Sequence, residues 1–410
     1  MNVIVTRDCN NTCPYCFAGQ ELANSQSRSI GREGRSMPIQ AVNELASWLS
    51  GDPPRQINLI GGEPFLRDDL PEIVAIFRQK CPKSQLTIFT GGIISGQSLS
   101  QLSPDDLSGI LVNVNEERDY PNRHIYDKVI GFIETAIAMG FRITLGYNIW
   151  RLDFDTEFMP HIAYSLGRQG FRWSVANPSL MGGNKVVSPS DFRELSKIVI
   201  QMLYKSVERG LTTHLDCPLP SCFFKNEDLA WIARYQPNVV TNIGTCSAPI
   251  DITPELEAIR CFSISSFART PINQHASLAA LTKWFTENED RDLLARKGIF
   301  EECLKCDHFL AGRCHGGCLG WRDLRQPGNA PTAKHFYDLL QAGNYAQVIE
   351  ELESASQWFL TPLLLYLGVL AAYKLGELDK AKRFLCVAHD HVTNLNLQQK
   401  LRRLLKQSFR

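Results

Sequence analysis

The sequence predicts an α/β protein with a parallel sheet, followed by a loop-rich, cysteine-rich segment and a helical tail. Three observations carry that prediction. Short β-branched runs alternate with amphipathic segments up to about residue 180, a pattern that implies parallel strands joined by right-handed crossovers. Eleven of the thirteen cysteines fall into local groups, at 9/13/16, 217/222, 246/261 and 303/306/314/318. Beyond residue 331 the strand pattern gives way to helical spacing alone.

The strands are expected at 2–6, 56–60, 86–90, 110–114, 142–147 and 172–176, where β-branched residues cluster. Helices are expected at 39–50, 69–80, 124–140 and 156–169; the third carries Ile125, Val129, Phe132, Ile133 and Ile137 at helical spacing. Such sheets, open or closed into a barrel, place their sites at the C-terminal ends of the strands. One more helix is expected at 189–209, then loops to about 321, then a linker in the Pro- and Gly-bearing run 325–331. In the tail, Leu340-Gln341-Ala342-Gly343-Asn344-Tyr345 is echoed by Lys374-Leu375-Gly376-Glu377-Leu378-Asp379, the two glycines standing 33 residues apart. That is close to the tetratricopeptide period of about 34. A generic helical hairpin is the alternative reading.

A chain of 410 residues is long enough for two or three domains. Its 43 basic and 43 acidic residues cancel, which excludes a strongly basic nucleic-acid binder. The apolar stretches, 359–372 among them, are too short and interrupted to span a bilayer. The first residues lack a secretory signal, so a cytoplasmic protein is expected. In a reducing compartment clustered cysteines are more often metal ligands or catalytic thiols than disulfides. Cys81 and Cys386, which stand alone in apolar segments, read as buried hydrophobes.

Directly after the first strand stands Cys9-Asn10-Asn11-Thr12-Cys13-Pro14-Tyr15-Cys16-Phe17, a C-x3-C-x2-C loop. Three thiolates on one short loop can wrap one face of an iron–sulfur cubane and leave one iron open. Zinc completed by a distant ligand is the alternative. The second strand ends in Gly61-Gly62-Glu63-Pro64, where glycines would let backbone approach a ligand closely.

Together these two motifs resemble the radical S-adenosylmethionine (SAM) superfamily. The resemblance implies a partial (β/α)6 TIM-like barrel and a SAM-binding 4Fe–4S cluster on Cys9, Cys13 and Cys16. It also implies that Gly61, Gly62, Glu63 and Pro64 hold the SAM amino group, with Tyr15 and Phe17 shielding the cluster. Asn113 and Asn148 would contact the ribose and carboxylate; Asn115 and Thr90-Gly91-Gly92 are weaker echoes. The implied chemistry is reductive cleavage of SAM to a 5′-deoxyadenosyl radical that takes hydrogen from the substrate. The segment 19–37 reads either as a lid or as a surface loop.

Cys303-x2-Cys306-x7-Cys314-x3-Cys318, preceded by Cys246-x14-Cys261, is similar to the SPASM domain of peptide-modifying members, which holds two auxiliary 4Fe–4S clusters. A zinc knuckle is the alternative. The chain departs from that pattern at Leu256, where the family has Gly, in a middle spacing of seven instead of five, and in lacking a cysteine between Cys318 and Cys386. Cys217 and Cys222 bring the count to eight thiols, enough for two clusters. By family analogy Cys246, Cys261 and Cys318 join one of the 217/222 pair. The other cluster then takes Cys303, Cys306 and Cys314, completed by the second of that pair, by another ligand or by nothing.

The expected domains are therefore a radical SAM core at 1–185, a SPASM-like auxiliary-cluster domain at 186–325 and a tetratricopeptide-like domain at 332–410. The resemblance implies a maturase acting on a ribosomally made precursor peptide, by cross-linking, oxidation, epimerisation or backbone excision of the splicease type. Flavodoxin or ferredoxin would supply electrons. The first strand begins at Asn2, so no leader-recognition domain is expected ahead of it. Leader binding would fall to a separate small protein or to the tail. The alternatives are a radical SAM dehydrogenase or rearrangement enzyme acting on a small molecule, and a zinc-stabilised binding scaffold. For an acid or base the sequence offers only His124, His161, His214 and Asp216, as residues that could face the cavity.

Overall fold

A computed structural model describes residues 1–18, 35–94, 99–179, 183–265, 268–290, 299–300, 302–303, 306–322, 333–354 and 362–391. The expected linker at 325–331 and most of the segment 19–37 lie outside those residues. Ten strands form one sheet: β1 Asn2–Thr6, β2 Gln56–Gly61, β3 Gln85–Thr90, β4 Gly109–Asn113, β5 Ile143–Ile149, β6 Gly170–Val175, β7 Thr212–Leu215, β8 Ile250–Ile252, β9 Glu257–Arg260 and β10 Arg269–Pro271. Their order is β10-β9-β8-β1-β2-β3-β4-β5-β6-β7. Strands β1 to β7 run parallel and in sequence, β8 lies parallel to β1, and β9 and β10 turn back antiparallel.

All six expected strands are present. The seventh, with β8 to β10, carries the sheet past residue 185. These strands are three or four residues long, too short for alternation to announce them.

Helices α1 (Ile39–Ser50), α2 (Leu70–Lys80), α3 (Arg123–Ala138), α4 (Phe158–Ser165) and α5 (Phe192–Glu208) connect the parallel strands. Each buries an apolar stripe, as α1 does with Val42, Leu45, Ala46 and Leu49. Asn122 caps α3 by accepting from the Ile125 amide at 3.2 Å. Under this helical layer lie Val3, Val5, Ile57, Leu59, Ile88, Val112, Leu145, Phe171 and Trp173, the alternate residues of the strands. The same core takes in Phe223, Phe224, Phe285, Cys318 and Trp321, so the cysteine-rich segment is packed into it. Helices α6 (Asn226–Tyr235) and α7 (Leu278–Phe285) belong to that segment.

The opposite strand faces look inward. Arg172 on β6 lies over the Phe89 ring of β3 at 5.7 Å. Three strand spacings of about 4.8 Å separate those strands in a flat sheet, so the sheet curls into a partial barrel.

The tail is two helical hairpins: α8 (Ala333–Gln341) with α9 (Tyr345–Ser354), and α10 (Pro362–Lys374) with α11 (Leu378–His391). Gly343 and Gly376 both turn at φ 77°, which glycine alone adopts without strain. A Cβ on Gly368 would stand 2.7 Å from Leu352, so α10 meets its neighbours through that glycine. Phe336, Val348, Leu352, Leu365, Ala372 and Phe384 form a core separate from that under the sheet. Among the described residues no helix is long and apolar enough to cross a membrane.

Candidate active site and cysteine groups

The Cys9–Cys16 loop leaves the C-terminal end of β1, against the end of β2. The Gly62 amide donates to Thr6 O at 2.9 Å and the Glu63 amide to Asp8 O at 2.7 Å. A Cβ on Gly61 would stand 2.0 Å from Thr6 O; one on Gly62 would stand 2.0 Å from Asp8 O and 2.9 Å from Cys9 Cβ. These glycines are thus needed for strand and loop to touch, whereas the sequence suggested only a close approach to ligand. Pro64 opens a short turn whose Phe65 amide donates to Glu63 at 3.2 Å.

Glu63 is 1% exposed. Its carboxylate accepts from Thr90 Oγ1 at 2.8 and 2.9 Å and from the Gly91 amide at 2.8 Å, which ties the rims of β2 and β3 together. Burial pushes its pKa up, against these hydrogen bonds.

The loop is held from its far side as well. The Tyr15 hydroxyl donates to Asn115 Oδ1 at 2.7 Å, and the Tyr120 hydroxyl accepts from the Asn115 amide at 3.0 Å. Asn184 donates to Tyr15 O at 3.1 Å and the Lys185 amide to Pro14 O at 2.7 Å. Burial pushes the Cys13 thiol up to about 12, with Cys16 adding to the effect, and raises Cys9. Phe17 meets Phe262 edge to face at 5.7 Å. Together with Ile4, Ile60, Phe89 and Ile259 they line the barrel interior beside Cys16.

Along the rim, Ser174 Oγ donates to Asn148 Oδ1 at 2.6 Å, and Asn148 Nδ2 points to Asn113 Oδ1 at 3.5 Å. Asn113, Asn148 and Ser174 thus form a polar row on β4, β5 and β6, facing the loop that carries Tyr15. All four acid–base candidates are exposed, His124 and His161 on α3 and α4, His214 on β7 and Asp216 directly after it. His214 pairs with Arg172 across β6 and β7, and Arg172 is ion-paired to Asp216. His214 is pulled below its ordinary pKa by burial first and by Arg172 second. Arg172 escaped the sequence reading, although a lone arginine in Gly170-Phe171-Arg172-Trp173-Ser174-Val175 marks an inward-facing position by alternation.

The remaining thiols divide into two groups. Cys318 is raised well above its ordinary pKa by burial and then by Cys246, Cys217 and Cys261; Cys261 is raised by burial, Asp251, Cys217 and Cys246. Cys222, whose residue surface is exposed at the cavity, is raised to about 11 by the partial burial of its thiol and then by Cys303, Cys314 and Cys306. These last four cysteines line a single cavity of about 1010 Å³. The Cys314 turn is closed by the Gly316 amide donating to Cys314 Sγ at 3.3 Å. Among the described residues no three His, Cys, Asp or Glu side chains are placed to hold a single metal ion. At Leu256, where the resemblance expects glycine, the backbone sits at φ 60°, a conformation glycine takes freely and leucine does not.

Residues 3–163 match the Radical SAM superfamily model, so the chain carries a radical SAM domain, the domain of enzymes that use a 4Fe–4S cluster and SAM. In sequence it is 29% identical over 171 residues to the GTP 3′,8-cyclase of Synechocystis sp., 40% of this chain and 50% of that one. It is 30% identical over 242 residues to the Fe-coproporphyrin III synthase of Methanosarcina barkeri, 54% of this chain and 57% of that one. The chain thus spans about half the length of these two curated relatives. Its fold is shared with Streptococcus suis SuiB bound to S-adenosylmethionine, at a TM-score of 0.56 and 12% identity over 80% of this chain and 74% of that one. It is likewise shared with anSMEcpe with bound AdoMet, at 0.56 and 14% over 90% and 97%.

Proposed function

We propose that this chain is a radical SAM peptide maturase whose triad holds the SAM cluster and whose eight other grouped cysteines hold two auxiliary 4Fe–4S clusters. The observation that carries the reading is the division of those eight thiols into two groups of four behind a radical SAM domain. The fold likeness covers 80% of the chain in the comparison with SuiB, a structure of which is bound to precursor peptide SuiA. That supports a peptide substrate.

When bound, the cluster and SAM supply a strongly oxidising carbon radical. The chain's own residues bind, orient and exclude water. Cys9, Cys13 and Cys16 hold three corners of the cluster, and Tyr15, fixed on Asn115, fills the space behind them. Glu63 presents a buried carboxylate with one acceptor site beyond its three donor residues, suited to the SAM ammonium. Asn113 and Asn148 face the loop with donors and acceptors for ribose and carboxylate. Phe17, Phe89 and Phe262 keep the interior dry beside them. Flavodoxin or ferredoxin is the electron donor in this reading, and the helical tail, read as two tetratricopeptide-like hairpins, docks the peptide or a separate leader-recognition protein.

A small-molecule substrate is the second reading, favoured by the names of the curated relatives, GTP 3′,8-cyclase and Fe-coproporphyrin III synthase. Anaerobic iron and sulfide quantitation with assay of SAM cleavage tests the enzyme reading. Wild type is expected to hold about twelve irons, and a Cys9/Cys13/Cys16→Ala variant about eight, with cleavage abolished. Zinc without sulfide, and no 5′-deoxyadenosine, would leave only the scaffold. Co-expression with candidate precursor peptides, read by mass spectrometry, separates peptide from small molecule.

A further inference from the structure

We infer that the strap Cys217-Pro218-Leu219-Pro220-Ser221-Cys222 gives one thiol to each auxiliary cluster, Cys217 to the inner one and Cys222 to the outer. Cys222 thereby replaces a ligand that the sequence lacks downstream of Cys318. The inference rests on the two-cluster reading above and fixes its wiring.

The outer assignment stands on a shared cavity. Cys222, Cys303, Cys306 and Cys314 line the same space of about 1010 Å³, and none of Cys217, Cys246, Cys261 or Cys318 lines it. The downstream alternative fails on place as well as number. After Cys318 the next cysteine is Cys386, on α11, a helix of the hairpin bundle whose core is separate from the one that includes Cys318.

The strap is held in a way that separates its ends. The Cys318 amide donates to Pro218 O at 2.9 Å, and the Gly244 amide donates to Leu219 O at 2.7 Å. Leu219 is 2% exposed, and both neighbouring prolines have fixed φ. A Cβ on Gly317 would stand 2.7 Å from the Pro220 nitrogen, so the Cys314–Cys318 turn lies directly on the strap. Cys217 directly precedes Pro218, whose carbonyl takes the Cys318 amide, whereas Cys222 emerges exposed at the cavity.

Five residue steps also bound the distance: the two Cα atoms stand no more than about 18 Å apart. The two clusters are thus joined by a short covalent path whose centre, Leu219 and Pro220, is buried. With four thiolates each, neither cluster keeps an open iron. Both are then relays for electrons, and substrate binds elsewhere in the barrel.

The exposure of Cys222 supplies the test. Anaerobically purified holoprotein is treated with iodoacetamide and digested for mass spectrometry, before and after iron is removed by a chelator. Cys222 is expected to resist alkylation until the iron leaves, together with Cys303, Cys306 and Cys314. In parallel, Cys222→Ser and Cys303→Ser are expected to alter the same auxiliary EPR signal, and Cys217→Ser the other one. Alkylation of Cys222 in holoprotein that keeps its full iron overturns the wiring. So does a Cys222→Ser protein with wild-type iron and unchanged auxiliary signals, or one whose change matches that of Cys217→Ser. Wild-type protein with zinc and no sulfide fails one step earlier and takes the two-cluster reading with it.

Discussion

At the scale of single residues, charge placement inside the barrel makes a testable claim. Arg172 is the cation paired with Asp216 and set beside His214. Burial, with Arg172 adding to it, holds His214 below its ordinary 6.5. The folded state therefore takes up that proton less readily than the unfolded chain. The sign follows: His214 costs no stability above about pH 6.5 and removes some as pH falls through that value. Arg172→Ala is expected to raise the His214 pKa, read by NMR titration of labelled histidine, and to shrink the loss of stability on acidification. A titration unchanged by the substitution would show that Arg172 does not act on His214. The grouped cysteines, Glu63, Asn113 and Asn148 were legible as candidates because a short motif or a strand end marks them. The contacts of Tyr15 with Asn115 and of Arg172 with Asp216 were not, because they join residues 100 and 44 positions apart.

At the scale of elements, the junction of β1, the Cys9–Cys16 loop and β2 decides whether the triad is presented at all. Gly62→Ala would drive a Cβ into Asp8 O, and no flexible side chain can yield there. A cost on the order of 3 kcal/mol is expected, with lower thermal stability and poor iron retention. Gly131→Ala on α3 meets nothing within 4 Å and is expected to stabilise by about 0.5–1 kcal/mol, since alanine suits a helix interior better. Opposite shifts in melting temperature would bear out the argument; two equal shifts would refute it. The long strands and helices were legible because each repeats its period several times, and β7 to β10 were not, because three or four residues do not complete one. Which of Cys217 and Cys222 goes with which group was hidden, since the two ends of the strap part only once the chain is folded.

At the scale of the whole molecule, two separate cores imply two separable tasks. The core under the sheet reaches Trp321, whose ring meets Phe192 of α5 at 5.2 Å, and thereby takes in Cys318. The core of the hairpin bundle begins at Phe336 and includes none of those residues. A chain ending at residue 331 keeps every grouped cysteine and the whole barrel. It is expected to fold, to hold wild-type iron and to cleave SAM at close to the full-length rate, because none of the described residues it lacks belongs to the first core. Binding of a precursor peptide or leader protein, if the hairpins dock it as proposed, should weaken at least tenfold in a direct titration, about 1.4 kcal/mol. Equal binding by the shortened chain would move peptide docking to the barrel mouth. Loss of iron on truncation would instead show that the bundle closes the cluster region, and the separate cores would then be a matter of packing alone.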